Sequence, residues 1–382
     1  MKEKFEDRKL YGSISLTLSD KSKWVKDKAE LCAEILDILE RYANEGYTLT
    51  LRQLYYQLVV AGAIRNDDVV YKKMSGILDD LRYSGGVDWD AIEDRGRVPY
   101  LPWHTTGIDA AIQAVINQYR LDRQQGQPTH IEVWTEKDAI SGILKRVTSE
   151  YQIQLVVNKG YSSSSAMHQA YERFAEVLNE GRNVKILYFG DHDPSGLDML
   201  RDIKERTLFF IAKGDQVNDP KSKDEDMDFF YEYEQENDID INDLLRAGLL
   251  SDIDVEKARK AARLDNEEAL EEFQDKKEAA MKMHYWASRF EVIPIGLTMK
   301  QIKQYNPPPN PAKISDPRAE WYIQNFGNIS WEVDALPPNV MIDLVTEKIL
   351  ENLDMGKYKT MKATEAEHIK KLEAFKMAQN KN

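Results

Sequence analysis

The sequence predicts an α/β protein with a helix-rich N-terminal part and a parallel sheet in the following part. Two observations support this fold class. Segments with helical periodicity dominate the chain up to Gln124. From His130 onward, apolar runs of strand length alternate with amphipathic helical segments, a pattern typical of parallel sheets covered by helices. With 382 residues, the chain is long enough for two domains or more.

The cysteine count and the charge distribution exclude some classes of protein and leave others open. The single cysteine, Cys32, excludes a disulfide framework and a cysteine-based zinc site. The formal net charge is −14, and residues 218–280 contribute −12 of it through 21 acidic and nine basic residues. The rest of the chain is nearly neutral, so it can carry a basic groove for nucleic acid. The charged start of the chain, with no long apolar run after it, predicts a cytoplasmic protein without a membrane span.

The first helices follow from periodicity and capping signals. A helix is predicted over residues 22–45, ending near Gly46. Thr50 and Gln53 form a capping box, which predicts that the next helix begins at Leu51. The core stripe of this second helix consists of Leu51, Leu54, Tyr55 and Leu58.

Tyr56 falls off that stripe and shares a helix face with Arg52, one turn earlier. A guanidinium beside a phenol favours the phenolate and can also hold a phosphate oxygen. We therefore expect Tyr56 to present its hydroxyl beside a fixed cation. The alternative is an ordinary surface tyrosine that covers the arginine stem.

A third helix is predicted at Asp68–Tyr83, ended by the glycines that follow it. With the looped segment up to Pro102, these helices resemble a winged-helix module, which lays one helix into a DNA groove. Three arginines are candidate phosphate contacts, with a solvated face as the alternative interpretation. They are Arg82, Arg95 and Arg97.

A further helix is predicted at Asp109–Gln124, followed by a linker over residues 124–128. We place a domain boundary there, so that residues 1–127 form the winged-helix domain. Residues 128–335 form an α/β domain with an acidic helical insertion at about 215–285, interpreted as a solvated arm, a partner surface or a dimer contact. Residues 336–382 form a C-terminal helical segment.

Within the α/β domain, apolar runs predict four strands, and amphipathic segments predict helices between them. The strands are His130–Trp134, Ile153–Asn158, Val184–Phe189 and Phe290–Leu297. The helices are Ala139–Glu150, Ser163–Asn179, Leu197–Thr207 and Met299–Tyr305.

Carboxylates follow two of these strands directly. Asp191 and Asp193 come after one strand, and Glu136 comes after another. Open α/β sheets place their sites at the carboxyl ends of strands, so the three acids can meet at one sheet edge. Two acids one residue apart repel each other unless a cation or protons offset them, and hard oxygen ligands suit Mg²⁺. The alternative is an Asx turn before a helix N-terminus, with both aspartates solvated.

These motifs resemble a known family. Glu136-Lys137-Asp138-Ala139-Ile140 and Gly190-Asp191-His192-Asp193-Pro194-Ser195-Gly196-Leu197, each after a strand, resemble a Toprim domain. Leu51-Arg52-Gln53-Leu54-Tyr55-Tyr56 on a preceding helix resembles the catalytic helix of one Toprim branch. That branch contains the topoisomerase VI A subunit and the meiotic transesterase that makes programmed double-strand breaks. The resemblance spans roughly residues 25–335, and the compact length is most similar to the stand-alone mini-A relatives.

Two positions depart from the family pattern. Ser162 follows Gly160-Tyr161 where many relatives have proline. His192 replaces a small residue and is expected to support the site or touch DNA rather than bind metal.

The resemblance implies a type IIB topoisomerase-like DNA transesterase. Tyr56 takes the position of the nucleophile that forms a 5′-phosphotyrosyl link, and Arg52 takes that of the helix arginine. Glu136, Asp191 and Asp193 take the Mg²⁺ positions, and Lys137 is a further candidate DNA contact. The resemblance also implies a nucleoid-associated homodimer in which the tyrosine of one protomer meets the metal site of its partner.

The chain contains no P-loop motif, so strand passage would require an ATPase or other protein partner in trans. Two alternatives stay open. One is a Toprim nuclease of a defence system, in which a metal-activated water attacks DNA without a covalent intermediate. The other is a non-catalytic DNA-binding or partner-recruiting protein.

Overall fold

In a computed structural model of the chain, the described residues of the N-terminal part form four α-helices. They are α1 (Lys28–Asn44), α2 (Leu51–Val60), α3 (Asp68–Tyr83) and α4 (Ile108–Gln118). The structure describes residues 28–83, 86–93, 102–213, 239–264, 266–312, 316 and 318–379. Helices α2 and α3 begin at the predicted residues, and Thr50 and Gln53 form the predicted capping box. Arg95 and Arg97 lie outside the described residues.

The second part contains one four-stranded sheet. Its strands and the helices between them are β1 (Thr129–Thr135), α5 (Ser141–Tyr151), β2 (Gln154–Val157), α6 (Ser164–Asn179), β3 (Asn183–Phe189), α7 (Pro194–Lys213) and β4 (Phe290–Gly296). The strand order is β2-β1-β3-β4, and every neighbouring pair is parallel. The predicted α/β class with a parallel sheet is therefore confirmed. The winged-helix and Toprim assignments stay predictions.

Side chains of alternating direction build two cores, one on each face of the sheet. Ile131 and Leu187 point to the face covered by α5, whereas Trp134 and Ile186 point to the face covered by α6 and α7. This two-sided burial explains why the strands are apolar throughout rather than alternating with polar residues.

Helical segments interrupt and follow the sheet. Between α7 and β4 lie α8 (Ile241–Arg246), α9 (Asp252–Arg263) and α10 (Glu267–Ala287). After β4 come α11 (Met299–Tyr305), the short strands β5 (Asn310–Pro311) and β6 (Ile329–Ser330) with α12 (Ala319–Phe326) between them, then α13 (Pro338–Asn352) and α14 (Met355–Gln379). Residues 214–238 of the predicted insertion lie outside the described part. None of the described helices is both long and apolar enough to cross a membrane.

Helix α4 ends at Gln118, six residues before the predicted end. The chain then turns so that Gln124 can accept a hydrogen bond from the backbone N–H of Ile131 at the start of the sheet. Both Gln124 and Gln127 are buried, so the predicted linker is packed against the α/β part. The helix ends early because the side chains of Gln124 and Gln127 form hydrogen bonds to the backbone at the start of a strand and a helix, which stabilises a non-helical segment.

Arg123 in this segment forms a buried ion pair with Glu365 of α14, at 2.9 Å. Breaking a buried ion pair by removing one partner leaves an uncompensated charge. We predict that Arg123→Met lowers the free energy of unfolding by about 3 kcal/mol, measured by denaturant titration.

The control is Arg201→Met, because Arg201 pairs with acids on the surface of α7. That substitution should cost less than about 1 kcal/mol. Equal losses in the two variants would contradict the structural role given to Arg123.

Candidate functional site

The carboxyl ends of β1 and β3 meet at one edge of the sheet, where Thr135 and Phe189 are register partners. Glu136 follows β1 directly, and Asp191 follows β3. The backbone N–H of Asp191 donates a hydrogen bond to Glu136 Oε1 at 3.3 Å. The parallel sheet thus brings these two predicted residues into contact.

Asp193 caps the N-terminus of α7. Its Oδ1 accepts a hydrogen bond from the backbone N–H of Gly196 at 2.6 Å. A Cβ atom on Gly196 would lie 2.3 Å from the carbonyl oxygen of Asp191, so only glycine fits this turn. Asp193 therefore forms the helix cap of the alternative interpretation, through one of its two carboxylate oxygens. That interpretation does not hold for Asp191, whose carboxylate is largely buried rather than solvated.

Lys137 lies at the centre of the edge. Its Nζ is 2.8 Å from Asp191 Oδ2, 2.8 Å from Glu332 Oε2 and 3.7 Å from Asp334 Oδ1. Burial acts to lower its pKa, but the three carboxylate charges outweigh burial and raise it, so the ammonium stays charged. The predicted DNA contact by Lys137 is not made from an open surface, because carboxylates surround the ammonium.

Glu332 and Asp334 belong to the site although they were not among the predicted residues. They flank Val333 in a short 3₁₀ turn, Val333–Ala335, between β6 and α13. The backbone N–H of Val333 donates to Asp191 Oδ1 at 2.8 Å, which ties this turn to the end of β3. The sequence signal was present, since two acids one residue apart in an apolar stretch repeat the spacing of Asp191 and Asp193.

Helix α2 of the N-terminal part lies against the same edge. Arg52 Nε is 2.8 Å from Asp334 Oδ2, and an Arg52 guanidinium nitrogen also contacts Glu332. The Arg52 guanidinium is 5.8 Å from the centre of the Tyr56 ring, which confirms that these two side chains are neighbours one turn apart.

Tyr56 is buried, with 3% of its surface exposed, whereas we expected an exposed hydroxyl. Tyr56 lies on the face of α2 that is not part of the predicted core stripe. The α/β part covers this face with Ala335 and Asn310. Asn310 Nδ2 donates to the Tyr56 hydroxyl at 3.5 Å. The hydroxyl therefore faces polar and charged groups, although its ring packs in an apolar core.

Arg52 acts to lower the pKa of Tyr56, as expected, but other groups outweigh it in this arrangement. Burial raises the pKa of Tyr56, and the charges of Glu332 and Asp334 raise it further. The opposing effect of Arg52 is smaller, because that guanidinium is itself paired with the two carboxylates. Tyr56 is thus a neutral phenol in this conformation.

The cluster carries more negative than positive charge. We call its five carboxylates the acidic edge, namely Glu136, Asp191, Asp193, Glu332 and Asp334. The cations in contact with it are Arg52 and Lys137. With every group ionised, three negative charges have no counter-ion among the described residues.

The pKa values reflect this imbalance. Burial raises the pKa of Glu136, Asp191 and Asp334, and contact with Lys137 does not offset it. At Glu332, burial is outweighed by Lys137 and Arg52, which lower the pKa to about 2. Arg52 and Lys137 therefore stabilise the ionised form of Glu332, but they do not offset the cost of burying the charges of Glu136, Asp191 and Asp334.

The acidic edge suits a hard divalent cation in charge and ligand type. Asp191 uses both carboxylate oxygens, on Val333 N–H and on Lys137. One oxygen each of Glu136 and Asp193 forms no hydrogen bond or ion pair with the described residues. In this conformation the described residues include no group of three acids, histidines or cysteines arranged to hold a metal. The carboxylates of the acidic edge are ligands of the type that a metal ion needs, but the Lys137 ammonium lies between three of them.

His192 is a structural residue of the loop between Asp191 and Asp193. Its Nδ1 lies 2.8 Å from the hydroxyl of Tyr322, and its backbone pairs with that of Trp331. Burial lowers the pKa of His192. The contacts explain why an aromatic side chain, rather than a small one, occupies this position.

Two other predicted positions lie away from the acidic edge. Arg82 donates a hydrogen bond to the carbonyl of Ile92 at 3.0 Å, within the N-terminal part. Tyr161 contacts Arg318 and donates to Asp198 Oδ2 at 2.5 Å. A DNA contact by Arg82 stays a prediction.

Comparison with family models, with curated proteins and with solved structures gave no match.

The opposite pKa shifts of Glu332 and Asp334 predict opposite effects of neutralisation. A carboxyl with a raised folded-state pKa destabilises the protein above that pKa, so Asp334→Asn should stabilise the metal-free protein at neutral pH. This gain should vanish as the pH falls, because the wild-type Asp334 then takes up a proton. Denaturant unfolding in the presence of a chelator, over a range of pH, measures it.

Glu332→Gln is the matched comparison. The lowered pKa of Glu332 contributes stability that is complete above its unfolded value of 4.5 and is lost as the pH falls towards about 2. This variant should lose on the order of 2 kcal/mol, with no change between neutral pH and about 5. Equal destabilisation by both variants at neutral pH would contradict the charge balance described for the acidic edge.

Proposed function

We propose that this protein is a Mg²⁺-dependent DNA transesterase with Tyr56 as nucleophile, as its resemblance to topoisomerase VI A subunits implies. One observation carries the proposal. Helix α2 brings a phenol and a guanidinium to the edge of a parallel sheet that gathers five carboxylates. A helix from one part of the chain and strand ends from another thus assemble groups suited to phosphoryl transfer.

In the proposed reaction, the Tyr56 oxygen attacks a backbone phosphorus atom. A bond forms between phosphorus and the tyrosine oxygen while the bond to the 3′ oxygen breaks. The phenol gives up its proton, and the departing 3′ oxygen takes up a proton. One phosphodiester replaces another, so the step is nearly balanced in energy and can be reversed to rejoin the strand.

The residues of the site have distinct roles in this proposal. Arg52 presents a fixed positive charge to the non-bridging phosphate oxygens. Glu136, Asp191 and Asp193 would hold Mg²⁺, which supplies positive charge at the phosphate and the leaving oxygen.

The described conformation corresponds to a resting state. Tyr56 is buried and its pKa is raised, so it must leave this position near the carboxylates before it can attack. Release of α2 from its own acidic edge would free Tyr56 to reach the site of a partner subunit, as in the dimer that the resemblance implies. A protein partner in trans, such as an ATPase, is one way to promote that release.

The burial of Tyr56 also favours a second candidate, a metal-dependent DNA nuclease. In that case a water molecule attacks the phosphate, and Tyr56 and Arg52 only hold the N-terminal part against the sheet. The acidic edge would serve both reactions. The products distinguish them, since hydrolysis leaves free 5′-phosphate ends.

The test is to incubate the protein with duplex DNA and Mg²⁺, denature it, and detect protein covalently linked to 5′ ends. We predict that the wild-type protein forms this adduct and that Tyr56→Phe does not, because the variant lacks the attacking oxygen. The loss should be at least about 10³-fold.

Tyr55→Phe is the matched control. Tyr55 is the neighbouring tyrosine of the same helix, and its hydroxyl bonds to Asn66 and Asp67 instead of facing the acidic edge. This variant should keep the adduct. An adduct that persists in Tyr56→Phe would exclude Tyr56 as the nucleophile, and 5′-phosphate ends without adduct would establish the nuclease.

A further inference from the structure

The ammonium of Lys137 occupies a cage of carboxylates. Asp191 and Glu332 each place an oxygen 2.8 Å from Nζ, and Asp334 places one at 3.7 Å. The three oxygens come from two separate segments of the chain, the end of β3 and the turn after β6. Three carboxylates converge on one positive charge, and their charge and ligand type also suit a divalent cation, although the described conformation does not arrange them to hold one.

Asp334 supplies an independent indication that this cage suits a stronger cation than an ammonium. Its side chain is 0% exposed, and neither of its oxygens has a hydrogen bond of good geometry within the described part of the chain. Among the described residues, its ion pairs are with Arg52 at 2.8 Å and with Lys137 at 3.7 Å. A buried carboxylate without hydrogen bonds is costly, and its charge is directed into the cage.

We infer that Lys137 is a resident counter-ion of the acidic edge, and that a divalent cation binds there by displacing the Lys137 ammonium. The inference rests on the proposed metal-dependent function and names a regulatory element of the same site. Asp191 is the shared residue, because its Oδ2 cannot hold the ammonium and a metal ion at the same time. Lysine suits this role, since its charge lies at the end of a flexible four-carbon stem.

Displacement of the Lys137 ammonium by a metal ion would also make its positive charge available to DNA. Once outside the cage, it is a free positive charge next to the proposed phosphate site. A DNA phosphate that binds it would favour metal binding, and metal binding would favour DNA by the same factor. Lys137 would thus restrict metal loading of the acidic edge to DNA-bound protein.

Calorimetric titration of the full-length protein with Mg²⁺, in the absence of DNA, tests the displacement. We expect Lys137→Met to bind Mg²⁺ about tenfold more tightly than the wild type, because no ammonium competes for Asp191. Lys185→Met is the matched control. It removes the same charge from the same sheet, where Lys185 pairs with the exposed Glu291. Its affinity should stay within about twofold of the wild type.

The inference is overturned if Lys137→Met binds Mg²⁺ no more tightly than Lys185→Met. It is also overturned if Mg²⁺ raises the melting temperature of Lys137→Met no more than that of the wild type. A larger rise is expected, because the variant lacks the internal cation and depends on the metal to compensate its carboxylates.

A measurement on the wild-type protein does not depend on the folding of any variant. Reductive methylation followed by mass spectrometry reports the reactivity of each lysine. Lys137 should be protected in the presence of a chelator and should become several-fold more reactive in Mg²⁺, while Lys185 should not change. Unchanged or lower reactivity of Lys137 in Mg²⁺ would overturn the inference.

The proposed coupling to DNA is tested by repeating the Mg²⁺ titration with a short duplex bound. Duplex DNA should tighten Mg²⁺ binding about tenfold in the wild type and should have no such effect in Lys137→Met. Equal tightening in both proteins would overturn the coupling. The outcome is separable from the proposed reaction, because a covalent adduct can form without this coupling, and metal displacement can occur without an adduct.

Discussion

The ion pairs that Arg52 forms with Glu332 and Asp334 join helix α2 to the sheet edge, and Lys137 pairs with the same two acids from the end of β1. The hydrogen bond from Asn310 to the Tyr56 hydroxyl is a further polar contact of α2 with this edge. The same ion pairs give the site its unusual charge balance, since within the described part of the chain five carboxylates share two cations. An excess of buried negative charge is stable only with protons or a further cation.

This imbalance links structure to function. In the described conformation the carboxylates bind the cations of the chain itself, and Tyr56 is held as a neutral, buried phenol. A cation that displaced Arg52 from the acidic edge would loosen α2, because Arg52 is the residue of α2 that pairs with Glu332 and Asp334. In the proposed function, metal binding, release of the tyrosine and exposure of positive charge to DNA would all act on this one set of carboxylates.

The elements with strong periodicity and capping signals were predictable from the sequence. Thr50 and Gln53 fixed the start of α2, and apolar runs bounded by turns located all four strands of the sheet. The meeting of Glu136 and Asp191 was also predictable, because it depends only on adjacent parallel strands ending at one edge. These features are determined locally or by a general rule of sheet topology.

The rest of the site depends on how distant segments pack, which no local pattern encodes. Helical periodicity placed Tyr56 off the core stripe, but it did not reveal that the turn after β6 would cover that face. For the same reason the acids at residues 332 and 334 were not recognised, although their spacing repeats that of Asp191 and Asp193. The early end of α4 has a similar cause, because the buried hydrogen bond from Gln124 to β1 forms only in the folded protein.

The most direct measurement of the central claim is a crystal structure of the protein grown with Mn²⁺, with the anomalous signal recorded to locate the metal. We predict a peak about 2.1 Å from an oxygen of Asp191, with the Lys137 ammonium moved out of the carboxylate cage. A structure in which Mn²⁺ binds only elsewhere on the chain, for example at the acidic insertion, with Lys137 still bound to Asp191, would contradict it.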